Sequence, residues 1–115
     1  GNVIAARMLS TAYGTGDGVA RDEAQQLAWA RRAAEAGDVV SQNALGYLLL
    51  TGAGGSYDYV DASVWLTLAA ERSVAGQFRD QAVENLSTAL VQLNAEEKEE
   101  VNRRVAKWKE AVGEK

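Results

Sequence analysis

A period of 36 residues constrains this chain more than any other feature. Trp29 and Trp65 stand 36 positions apart, and the same offset carries Leu9 to Leu45, Gly16 to Gly52, Gly18 to Gly54, Asp22 to Asp58, Ala33 to Ala69 and Ala34 to Ala70. Agreement that includes Gly, Asp and Trp points to two copies of one supersecondary unit. A period of this length belongs to stacked arrays, in which each unit buries its apolar face only against a neighbour.

One copy reads as a helical hairpin. Val3, Ile4, Ala6, Leu9, Ala12 and Tyr13 recur at intervals that put them on one side of a first helix. Gly14-Thr15-Gly16-Asp17-Gly18 stops it, because glycine adopts left-handed backbone angles without a steric penalty. Asp22 and Glu23 open a second helix, where carboxylates favour the free amides, and Leu27, Ala30, Ala33 and Ala34 give it a face beside Trp29. Gly37 ends that helix and Asp38 is placed to cap the next. The second copy runs from Val40, Ala44, Leu45, Leu48 and Leu49 through Gly52-Ala53-Gly54-Gly55 to a helix holding Trp65 and Ala70. Gly55 in place of Val19, and Ser73 in place of Gly37, predict a looser turn and a softer stop in this copy.

Past Ser73 the register is lost, yet Phe78, Ala82, Leu86, Ala89, Leu90 and Leu93 predict another amphipathic helix over 77–93, a diverged third first-helix. Asn94 with Glu97 fits a capping box, and Val101, Val105, Trp108 and Val112 form a narrow stripe that Gly113 ends. A thin apolar stripe among charges suits a terminal capping helix. The expected organisation is all-α: one domain made of a first repeat over 1–37, a second over 38–73, and a diverged helix with a C-terminal cap over 74–115. Since the first residue is Gly1 rather than Met, the chain is expected to be part of a longer array.

Composition narrows the chemistry. The 115 residues contain no His, Cys or Pro, which removes Ser-His and Cys-His nucleophiles, His-liganded zinc and thiol redox chemistry. Net charge is −4, with 1 basic against 4 acidic residues in 38–73, which argues against a nucleic acid, whose phosphates would want a basic face. No apolar run approaches the roughly 20 residues that span a bilayer. The glycine loops lack the Lys-Ser or Lys-Thr of a phosphate cradle and read as turns. Asp17, Asp58 and Asp61 lack the spacing of a calcium loop, and Asp58 reads as a helix cap like Asp22. A carboxylate-pair hydrolase is the one enzyme class left open, but Glu96, Glu97, Glu99 and Glu100 crowd a solvated first turn rather than a cleft. Neither catalysis nor a cofactor is expected.

Ala6, Leu9, Tyr13, Gly16, Gly18, Val19, Asp22, Trp29, Ala33, Ala34 and Gly37 together resemble the pattern of the Sel-one-like repeats, a branch of the tetratricopeptide-like helical solenoids. Leu45, Gly46, Gly52, Gly54, Asp58, Tyr59, Ala62, Trp65, Ala69 and Ala70 repeat the likeness, while Ser10 and Gln26 stand where that family usually has Gly and Ala. The resemblance implies a right-handed alpha-alpha superhelix with a C-terminal capping helix. It also implies a bacterial adaptor or scaffold that binds a protein or peptide on a concave face, often in the periplasm or cell envelope. A small regulator that occludes a partner enzyme is the alternative.

Residues between the core positions of the first helices are the expected contacts: Arg7 and Thr11, then Asn43, Tyr47 and Leu50, with Glu84 and Thr88 on the third. Tyr and Arg are frequent interface anchors. Trp29 and Trp65, repeating with the period, are expected to pack between helices. Val3, Ile4 and Met8 form an apolar N-terminal edge that upstream repeats or a second copy would cover.

Overall fold

Asp and Asn side chains set where five of the described helices begin. Asp22 accepts a hydrogen bond from the Gln25 amide at 3.1 Å, Asp38 from Ser41 at 3.0 Å and Asp58 from Asp61 at 2.9 Å. Asn2 does the same for Ala5, and Asn94 with Glu97 forms the reciprocal capping box. Each satisfies an amide that the first helical turn would leave unpaired. The result, in a computed structural model that describes residues 2–55 and 57–113, is six α-helices among the described residues. They are α1 (Val3–Thr15), α2 (Glu23–Glu35), α3 (Val39–Thr51), α4 (Tyr59–Arg72), α5 (Gln77–Leu90) and α6 (Ala95–Ala111), with a short 3-10 turn at Ala53–Gly55. Gly1, where the expected first repeat starts, and Glu114 and Lys115 at the end of the expected cap lie outside the described residues.

Helices α1 to α5 pack each on the next in chain order, and α6 packs on α4. The first helices of both copies end alike, although only the second turn contains a 3-10 segment. Gly16 and Gly52 end α1 and α3 with φ of 80° and 79°, and their amides donate to the carbonyls of Ala12 and Leu48. The backbone then runs on to Asp22 and Asp58, whose amides return to the Tyr13 and Leu49 carbonyls, locking each hairpin shut.

The core lies between the two repeats and the C-terminal helices. Ala30 and Ala34 of α2 meet Leu45, Leu48 and Leu49 of α3 and Trp65, Leu66 and Leu68 of α4, and Leu93, Val101 and Val105 close the far side. Trp65 meets Trp108 edge-on, with centroids 6.4 Å apart and planes at 78°, a favoured geometry for rings of opposite edge and face polarity. Arg72 lies over the Trp108 ring at 5.1 Å, and Lys109 pairs with Glu71, so α6 is fastened to α4 by stacking and charge together. The close approach of α3 and α4 depends on Gly46: a Cβ there would stand 2.5 Å from Leu66 Cγ and 3.2 Å from the Ala62 carbonyl. Ser10 holds the corresponding place in α1, and its hydroxyl donates to the Gln26 carbonyl at 2.9 Å.

The structure corrects three details. Helix α5 stops at Leu90, with 91–93 forming the turn into α6, and buried Leu93 is contributed from that turn. Phe78, expected in the apolar stripe, is 38% exposed because the side of α5 that meets the core carries Ala82, Asn85 and Ala89. The two repeat-related tryptophans also differ: Trp65 is buried, whereas Trp29 is half-buried under the Arg32 guanidinium at 4.7 Å. Trp65 has α6 to pack on, and Trp29 sits where no described helix covers it.

Two stability measurements follow. Gly46→Ala forces Leu66 aside in a filled interface, and chemical unfolding is expected to show a loss of about 1–3 kcal/mol. Trp108→Ala removes the edge-on contact and the Arg72 stacking partner and is expected to cost roughly 2–4 kcal/mol in the same assay.

Candidate interaction surface

The first helices α1 and α3 place the expected contact residues in register. Arg7 and Asn43 are one position of the repeat occurring twice, as are Thr11 and Tyr47, so each helix presents a pair separated by one turn. Tyr47 is 50% exposed, a large aromatic ring left in solvent. Arg7 reaches Asp38 at 3.7 Å across the repeat boundary, which holds its guanidinium near α3 while leaving donors outward. Thr11 is exposed, and its hydroxyl donates back to the Arg7 carbonyl at 3.1 Å. Thr88 makes the same bond to Glu84 on α5, and both are exposed.

Leu50 differs from its expected role. It is half-buried and packed against the core, since it follows Gly46 by one turn and so shares the side of α3 that lies against α4. Phe78, Gln77 and Gln81 of α5 take a place that the sequence did not assign them: with Asn43 they line an open groove of about 470 Å³ between α3 and α5. The Asn43 Oδ1 atom is buried beside it with no hydrogen-bond partner among the described residues. A signal was present in the chain, an aromatic flanked by glutamines one turn apart, but the same Phe served equally well as a core residue.

The acidic residues serve helix structure. Glu97 completes the α6 capping box, and Glu100 takes Arg103 at 2.7 Å and Arg104 at 2.8 Å. Hydrogen bonds from Arg104 and then Arg103 hold the Glu100 carboxyl below its ordinary range. A depressed carboxylate stabilises the fold above its ordinary pKa, and that contribution is lost as pH falls through the lowered value. Its partial exposure to solvent keeps the effect small. Glu100→Gln is therefore expected to lower the melting temperature slightly at neutral pH, with the difference from the parent vanishing in acid. Among the described residues no His, Cys, Asp and Glu side chains gather as metal ligands would, and no helix is long and apolar enough to cross a membrane.

Comparison with known proteins places this geometry. No curated protein matches the chain. Among solved structures, the chain is similar to the crystal structure of a protective antigen present in uropathogenic Escherichia coli strains and displaying an SLR fold. The TM-score is 0.83 at 29% sequence identity, over 96% of this chain and 23% of that one. The chain thus spans about a quarter of that protein's length. The Sel1 repeat family matches residues 3–38 and 39–74, the two segments the 36-residue period marks out. An all-α helical-repeat solenoid of this kind is a scaffold for protein–protein interaction. With both copies matched and the same fold in a solved relative, the chain belongs to the Sel1 repeat family.

Proposed function

We propose that this chain is an adaptor module that binds a peptide segment of a partner protein along the side formed by α1, α3 and α5. The observation that carries the reading is the groove between α3 and α5. There the exposed ring of Phe78 stands beside the amide side chains of Asn43, Gln77 and Gln81. Side-chain amides offer both a donor and an acceptor and so match the backbone of an extended peptide, while an aromatic ring accepts one of its apolar side chains. Tyr47 extends the apolar contact, and Arg7 with Thr11 extends the polar one toward the first repeat. Such a surface binds by shape and backbone pairing, with a few aromatic and Arg anchors supplying most of the energy.

Peptides selected from a display library against the chain provide the test. Substituting Arg7, Asn43 and Tyr47 together is expected to weaken the best peptide at least tenfold in fluorescence polarisation, about 1.4 kcal/mol or more. Phe78→Ala alone is expected to cost a similar factor. Unchanged affinity in both variants would remove this surface from consideration. Loss of a partner enzyme's activity on binding the whole chain, with the variants still active as inhibitors, would instead favour the occluding regulator.

A further inference from the structure

A second groove crosses the other set of helices. About 280 Å³ in volume, it is lined from α2, α4 and α6 and shares no residue with the groove at Phe78. Val64 and Trp65 are buried in its lining, 4% and 5% exposed, and Trp108 is half-buried beside them. Cations stand on both sides: Arg31 on α2, and Arg104 with Lys107 on α6.

Hydrogen-bond donors outnumber acceptors here. An indole N–H can only donate, and the Nε1 atoms of Trp65 and Trp108 are both buried with no acceptor among the described residues. One buried donor left unpaired is costly, and the edge-on contact of the two rings brings two of them into one site. The charged side chains add to the excess. Arg31 donates to Asp61 and Arg104 to Glu100, and each guanidinium keeps further N–H groups beyond those bonds. Lys107 is exposed and has no ion-pair partner among the described residues. Of the two carboxylates in the lining, Asp61 is engaged by Arg31 at 2.8 Å, and Glu35 is exposed at the end of α2.

We propose that this groove is a binding site for a small organic acid, a monocarboxylate with a branched or aromatic tail. Its carboxylate accepts from the indole N–H groups and from Lys107, while its tail lies against Val64 and Ala111. Arg104 and Lys107 are exposed, flexible side chains, and their rotation opens the α6 side to the incoming acceptor. Size sets the ligand class. The volume lies just under the roughly 300–1,000 Å³ of sites for drug-sized ligands, which leaves room for roughly a dozen heavy atoms. Charge sets the count of acidic groups, because Glu35 and Asp61 oppose a second one and so disfavour a diacid or a phosphate.

The probe is N-acetyl-leucine, titrated into the whole chain labelled with ¹⁵N and followed through the indole N–H resonances of its three tryptophans. Trp29→Phe identifies the resonance of the tryptophan that does not line the groove. The Trp65 and Trp108 signals are expected to move saturably, with a dissociation constant on the order of 1 mM, while the Trp29 signal stays. Lys107→Gln is expected to weaken binding about fivefold or more, and N-acetyl-leucine amide, which lacks the charge, to move neither signal. Absence of a saturable shift, equal shifts with the amide, or unchanged affinity in Lys107→Gln overturns the proposal. So does binding of an acetylated Gly-Gly-Gly-Leu peptide where N-acetyl-leucine does not bind, because the occupant would then be the C-terminus of a partner protein.

Discussion

The close approach of helices through alanine is the constraint on which the remaining structure depends. Ala30, Ala33 and Ala34 of α2 and Ala62, Ala69 and Ala70 of α4 are all buried, and none holds the backbones apart with a large side chain. Helices that meet this closely gain dispersion contacts along their whole length and lose little side-chain entropy in doing so. The larger residues, Leu45, Leu49, Leu66 and Leu68, then fill the space between the helices on either side. An array built in this way has a core that lies between its repeats. Each repeat is completed by its neighbour, and the hairpin turns at Gly16 and Gly52 keep the spacing constant so that the next helix arrives in register.

Polar groups set the register that alanine leaves open. A smooth small-residue surface permits a helix to slide, whereas the Gln42 amide on the Ala34 carbonyl and Arg72 on the Gly37 carbonyl fix where α2 ends relative to α3 and α4. Gln42 is fully buried, so the bond is made in a low-dielectric setting where leaving either partner unpaired is costly. Arg72 also lies over Trp108, which joins the fastening between repeats to the capping helix. The same side chain thereby couples both ends of the second repeat.

Much of this was legible in the chain, and for a physical reason. Turns, caps and helix stops are local: glycine at a left-handed angle, Asp22 and Asp58 at helix starts, and the Asn94 and Glu97 pair each answer to residues within one turn. The period of 36 then converted local signals into an architecture. What the pattern did not separate was which apolar residues face a neighbour and which face solvent once the register broke after Ser73. Phe78 departs from its expected place for this reason, since the tilt of α5 against α3 and α4 is decided by packing rather than by spacing, whereas Leu50, inside the register, lies one turn beyond Gly46 on the side of α3 that meets α4. The divergence of Trp29 from Trp65 likewise depends on a neighbour, α6, that one copy has and the other lacks.

Native-state hydrogen exchange measured amide by amide tests most directly whether each repeat is completed by the second helix before it. Helices α3 and α4, covered on both sides, are expected to exchange only when the whole chain unfolds. Helix α1, with its Ala5 and Leu9 side uncovered, is expected to open separately and exchange at least about tenfold faster. Equal protection of α1, α3 and α4 would contradict that dependence and show the chain to be one cooperative core, stable without a covering helix at its first repeat.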